Sequence, residues 1–149
     1  MGQRKMRDNF ERASLFVLKQ EVEPGHESDG SLHTDPADPG GTTRFGISQR
    51  AYPDVDLKKL DWPGAKKIYL SIWMAAGCDE LHFPLDIIVF DTAFNMGVEE
   101  AKKIYELMGS QSADPNNYLL FRILTYFYKK PKYFRGWVKR TLNLWQEVA

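Results

Sequence analysis

The chain has 149 residues, 43% of them hydrophobic and 27% charged, and its twenty basic residues balance twenty acidic ones. That length suits one domain with one sizeable core, and the composition is globular rather than disordered or fibrous. A formal net charge of zero singles out no partner, and one cysteine, Cys78, excludes an internal disulfide framework.

No apolar run approaches the roughly 18 residues of a membrane span. The charged start, Met1 to Asp8, leads into no apolar core of signal-peptide length. Charge is unevenly spread. Between Gln20 and Thr43 stand six acids (Glu21, Glu23, Glu27, Asp29, Asp35, Asp38) and no Lys or Arg. Between Lys129 and Arg140 stand six bases and no acid, so the chain is dipolar.

Asp8 to about Glu21 is the first predicted helix, because Phe10, Ala13, Val17 and Glu21 recur at steps of three or four on one face. Glu21 continues that buried stripe, Glu23 points to nearly the opposite side, and Pro24-Gly25 ends the helix. A carboxyl on the inward side near a helix end is partly desolvated, which raises its pKa toward that of a usable general acid. The other role open to Glu21 is an ion pair with Arg122, Arg140 or another buried base. Glu23 to Leu32 reads as a solvated loop. Its His26, Glu27 and Asp29, with His33 beyond, match no metal-ligand spacing, so no metal and no cofactor are expected.

Thr34 to Ser48 carries two Asp-Pro steps and the Gly40-Gly41 pair, which forbid a long regular element and make a shaped turn. Thr42 and Thr43 follow within reach of Asp35 and Asp38. Ile47 to Tyr52 reads as a short helix closed by Pro53, and Asp54 to Leu60 as a connector.

Asp61 is placed to cap the next helix, entered by Trp62-Pro63, with Ala65, Ile68, Tyr69, Ile72, Trp73 and Ala76 as its apolar stripe and Gly77 as its stop. Trp73 is in phase with that stripe, so it is expected in the core. Pro84 opens a helix from about Leu85 to Met96 that is apolar on nearly every side, so its Asp91 and Asn95 must find partners inside. Val98 to Met108 follows Gly97, with Val98, Ala101, Ile104, Tyr105 and Met108 inward. Asp114 and Pro115 start a helix running to about Tyr128, and Pro131 separates the last one. The aromatics Tyr133, Phe134 and Trp137 there are expected on a packing face, which argues against nucleic-acid binding. Seven or so helices with a minor β-element make a mainly α fold.

An acid at a helix end, an acid in a glycine-rich turn and a threonine beyond it resemble the constellation of phage-type lysozymes. The segment Asp-Pro-Ala-Asp-Pro-Gly-Gly-Thr-Thr-Arg-Phe-Gly-Ile-Ser resembles, more closely, glycoside hydrolase family 108 (N-acetylmuramidases and phage endolysins, some once called secretion activator proteins). The stretch Phe-Asp-Thr-Ala-Phe-Asn-Met-Gly, the Arg122 helix and the ending Gly-Trp-Val-Lys-Arg resemble that family's predicted peptidoglycan-binding region. Two features depart from the pattern: Val22 and Glu23 stand where the family shows two glycines, and the loop to Asp35 is longer.

The resemblance implies a lysozyme-like helical domain with a small β-hairpin or irregular loop near the active site. It divides residues 1–149 into a catalytic region of about 8–90 and a binding region of about 91–147. It implies Glu21 as general acid, with Glu23 as the alternative acid, and Asp38 and Thr43 as its catalytic partners. Asp35, Gly40, Gly41, Thr42 and Asn95 would contact substrate, although Asp35 can equally build a turn and Asn95 a tie between helices. The implied partner is a peptidoglycan strand, met by a monomer. The protein would be made in the bacterial cytoplasm and act in the periplasm or wall, reached through a holin or secretion apparatus. The other function class is a wall-binding or regulatory module without turnover.

Overall fold

A computed structural model of the chain describes residues 2–37, 41–109, 114–129 and 131–149, with side chains from Asp8 onward. Among these residues six α-helices and three short strands follow in the order α1 (Gly2–Glu21), β1 (His33–Thr34), β2 (Thr42–Arg44), β3 (Ile47–Ser48), α2 (Trp62–Ala75), α3 (Leu85–Met96), α4 (Val98–Leu107), α5 (Pro115–Lys129) and α6 (Phe134–Val148). Short 3-10 turns cover Cys78–Glu80 and Pro131–Tyr133. The fold is mainly α, as expected. No helix among the described residues is long and apolar enough to cross a membrane.

Two compact units are present: Met1–Ala13 with Ser71–Ala149, and Ser14–Leu70. The first is helical and built around α3, whose residues Leu85 to Ala93 are all buried. An apolar helix with no polar side has no stable place except inside. Phe10, Trp73 and Phe90 meet edge to face or tilted at 5.6–6.1 Å between ring centres. Trp73 is thus core, and its indole N–H donates to Asp79 at 2.7 Å.

The polar residues of α3 are answered across the unit. Asp91 accepts from Arg122 at 2.7 Å and from Arg140 at 2.8 Å. Burial alone would push its carboxyl up; Arg140 and then Arg122 outweigh that and hold it below the usual carboxylate range. Arg122 also donates to the hydroxyls of Tyr126 at 2.9 Å and Thr92 at 3.1 Å. Asn95 donates to the same Tyr126 hydroxyl at 2.6 Å.

The second unit carries the sheet, antiparallel in the order β1-β2-β3. Here the expected helix Ile47 to Tyr52 is corrected: Ile47–Ser48 is β3, and turns follow it. Arg44 pairs with Ile47, so Phe45 and Gly46 form a two-residue hairpin turn, with φ of 53° and 71°. Positive φ at both positions is the I′ arrangement, whose twist matches that of paired strands. Phe45 is held there by tertiary contacts. Its ring is fully buried, 5.8 Å from the Trp62 ring, and its carbonyl accepts from the Tyr69 hydroxyl at 2.7 Å. Asp61 caps α2 as expected, its carboxylate accepting from the Gly64 N–H at 2.9 Å.

Two further expectations are corrected. Tyr105, expected inward on α4, is 37% exposed, and Tyr133, expected on a packing face, is 53% exposed. Both lie near the edge of an apolar stripe, where helical phase alone does not decide which side is covered.

Candidate functional site

The described residues among those singled out from sequence between Glu21 and Thr43 fall in the Ser14–Leu70 unit. Glu21 is the last residue of α1 and is half-buried, while Val22 is buried and Glu23 exposed. The order follows from phase: Val22 turns into the core, and the chain then leaves the helix.

The loop that follows is tightly tied. The His26 N–H donates to the Glu23 carbonyl at 3.0 Å and the Gly30 N–H to the His26 carbonyl at 2.8 Å. Asp29 accepts from the Ser31 N–H at 3.0 Å and faces His26 Nδ1 at 3.1 Å. The Ser31 N–H bond, then His26, lowers the Asp29 pKa; the hydrogen bond and charge of Asp29 raise that of His26. Gly30 sits at φ 75°, and any Cβ there would lie 2.6 Å from the Phe45 ring. Only glycine satisfies both the conformation and that approach.

Arg44 fastens the loop from the sheet side. Its Nε donates to the Asp29 carbonyl, and its Nη1 to the carbonyls of Leu57 at 3.1 Å and Lys58 at 2.7 Å. With the Phe45 N–H donating to the Gly30 carbonyl at 3.0 Å, the β2–β3 turn and the acidic loop are one construction.

Between them lies an open depression of about 420 Å³, lined by Glu23, His26, Asp29, Ser31, Leu32, His33 and Arg44. Two carboxylates, two imidazoles and a guanidinium give it donors and acceptors suited to a ligand rich in hydroxyls and amides, and carboxyls able to move a proton. Among the described residues no three His, Cys, Asp or Glu side chains converge as metal ligands.

The sheet sorts the two threonines. His33 pairs with Thr43 and Thr34 with Thr42, so Thr43 shares a sheet face with His33 while Thr42 lies on the other. On that other face the Thr34 and Thr42 hydroxyls are 3.2 Å apart. Both Thr42 and Thr43 are half-buried. Asp35 is exposed, and its carboxylate accepts from the Ala37 N–H at 2.9 Å, an Asx-type turn. The Asp35 N–H reaches back to the Gly41 carbonyl at 3.5 Å. Asp38 and Gly40 lie outside the described residues. Asn95 belongs to the helical unit, where besides holding Tyr126 it lines a cleft of about 290 Å³ with Met96, Glu100, Lys129 and Trp137.

Sequence reading passed over Arg44, the His26–Asp29 contact and the Phe45 turn. An x-Gly pair between Thr-Thr-Arg and Ile-Ser is a hairpin signal for that turn. Nothing local marks Arg44 as a clamp, because its acceptors lie 13 to 15 residues away.

Among the described residues, a mainly α fold with a small antiparallel sheet beside an acid-rich loop is consistent with a lysozyme-like domain, and the class of glycoside hydrolases comes from the family match. The family model described as glycosyl hydrolase 108 matches residues 25–97. Residues 25–97 thus form a glycoside hydrolase family 108 region. The match takes in the turn from Asp35 to Thr43 and runs on through Asn95, and it begins beyond Glu21 and Glu23. No curated protein and no solved structure matches the chain.

Proposed function

We propose that the protein is a muramidase, hydrolysing the β-1,4 bond between N-acetylmuramic acid and N-acetylglucosamine in peptidoglycan. The observation that carries this reading is the family match over the glycine-rich turn, joined to a polar depression that opens directly after the end of α1. Cleavage needs a proton for the leaving oxygen and relief for an oxocarbenium-like charge. Glu21, half-buried at the end of α1, is the proton donor in this reading. Asp38 opposes the developing positive charge or orients water, and the Thr43 hydroxyl positions that water. The side on which Thr43 lies supports its part, since it is the side that carries His33, a wall of the depression.

One observation favours a second donor. Glu23 lines the depression. The test is release of reducing ends from purified peptidoglycan by wild type, Glu21→Gln and Glu23→Gln. Loss in Glu21→Gln alone supports the first assignment, and loss in Glu23→Gln alone moves the proton to Glu23. Binding to sacculi with no release by wild type would make the protein a wall-affinity module instead. The Asn95–Trp137 cleft supports an added role for residues 91–147 in holding the strand.

A further inference from the structure

We propose that the outer side of the α5–α6 hairpin docks on an anionic lipid surface. From Pro115 to Gln146 the chain contains no Asp or Glu, but it contains seven Lys and Arg. Two of those, Arg122 and Arg140, are held by Asp91 inside the helical unit, and Lys129 is held by Glu100 at 2.7 Å. Lys132, Arg135 and Lys139 are exposed.

The same hairpin carries an uncovered apolar stripe on α5. Leu120, Leu124, Phe127 and Tyr128 recur at helical spacing and are 51%, 51%, 54% and 78% exposed, while Tyr118, Leu119, Arg122 and Tyr126 of the same helix are buried. At the corner of the hairpin Phe127 meets Phe134 edge-on at 5.5 Å, Tyr133 stacks on Trp137 at 5.7 Å, and Lys132 lies 5.7 Å over the Tyr133 ring. The exposed Phe127 and Tyr133 rings are therefore held in place, with the Lys132 ammonium over the second of them.

Three occupants can be compared. A glycan offers hydroxyls and amides, which leucine side chains cannot answer. A second copy would bring the same cations against each other with no acid to meet them, because a two-fold contact repeats the patch. An anionic bilayer answers both features at once: hydrocarbon for the Leu120–Leu124–Phe127 stripe, the headgroup layer for the tyrosines, and acidic headgroups for the cations. The attachment is peripheral, since no described helix can span.

The test is co-sedimentation of the full chain with vesicles of phosphatidylcholine alone and of phosphatidylcholine mixed with phosphatidylglycerol, at low and high salt. Binding is expected to the phosphatidylglycerol vesicles only and to fall with salt. The combined variant K132Q, R135Q and K139Q is expected to bind about a hundredfold more weakly, at about fivefold for each cation lost. L124S with F127S is expected to weaken binding while leaving its salt dependence in place. Both variants change exposed side chains, and circular dichroism confirms that they fold. Equal binding to both vesicle types, no binding to either, or a dimer in solution that L124S with F127S dissolves would overturn the proposal. Retention on sacculi that depends on the same residues, without vesicle binding, would also overturn it.

Discussion

The two units solve the problem of polar residues in opposite ways. In the helical unit Asp91 is wholly buried and answered by two guanidiniums brought from 31 and 49 residues away along the chain. In the Ser14–Leu70 unit Asp29, Asp35 and Glu23 are exposed, and two of these are held by near neighbours in the chain: Asp29 by Ser31 and His26, Asp35 by Ala37. A buried charge fixed by distant partners makes a rigid frame but is out of reach of any ligand. Exposed carboxylates on short turns are reachable, and they depend on backbone geometry for their position. The depression accordingly sits in the second unit.

The sharpest way to break this contrast is to remove the buried acid. Asp91→Asn leaves two guanidiniums facing a neutral amide in a dry interior, where an unpaired ion costs about 3–5 kcal/mol. Urea denaturation should show a loss of that size, large against the whole stability of a domain. Because the Asp91 carboxyl lies below its usual range, its contribution is present above the ordinary Asp pKa and is lost as pH falls through the lowered one. Acid unfolding of wild type should therefore start at a lower pH than burial alone would allow.

In the other unit the largest single effect is expected at Gly30. A methyl group there meets the Phe45 ring and must hold a positive φ, so Gly30→Ala should cost about 1–3 kcal/mol. It should also displace the loop carrying Asp29, so thermal melts and peptidoglycan clearing should fall together. Clearing that survives with a normal melting temperature would mean that the Phe45 turn does not position the site.

Much of the helical frame is legible in the sequence because its signals are local. Asp61, Pro84, Asp114 and Pro115 each start a helix at or beside the expected residue, and Gly97 separates α3 from α4 where the apolar run stops. The partners of Asp91 and Asn95 are not legible, since an unpaired acid in an apolar helix says that a partner exists but not which. The sheet shows the other failure. Phenylalanine disfavours positive φ, which obscures the hairpin signal of Phe45-Gly46 within the shaped turn, and the sequence places a helix over Ile47 to Tyr52. Only Gly30, Trp62 and Tyr69, brought in by folding, make the I′ turn the better choice.

A smaller effect sharpens the account of the loop. His26 is raised by its hydrogen bond to Asp29 and by that residue's charge, so the pair is favourable below the ordinary His pKa and is lost as pH rises through the raised value. Asp29→Asn should bring the His26 titration, followed by NMR, back toward the unperturbed imidazole value. An unchanged titration would show that the contact does not persist in solution.

The most direct measurement is product analysis of peptidoglycan digests with wild type and Glu21→Gln at matched folding. The expected result is wild-type fragments bearing N-acetylmuramic acid at their new reducing ends, and none from Glu21→Gln. Fragments ending in N-acetylglucosamine, or undiminished release by Glu21→Gln, would contradict it.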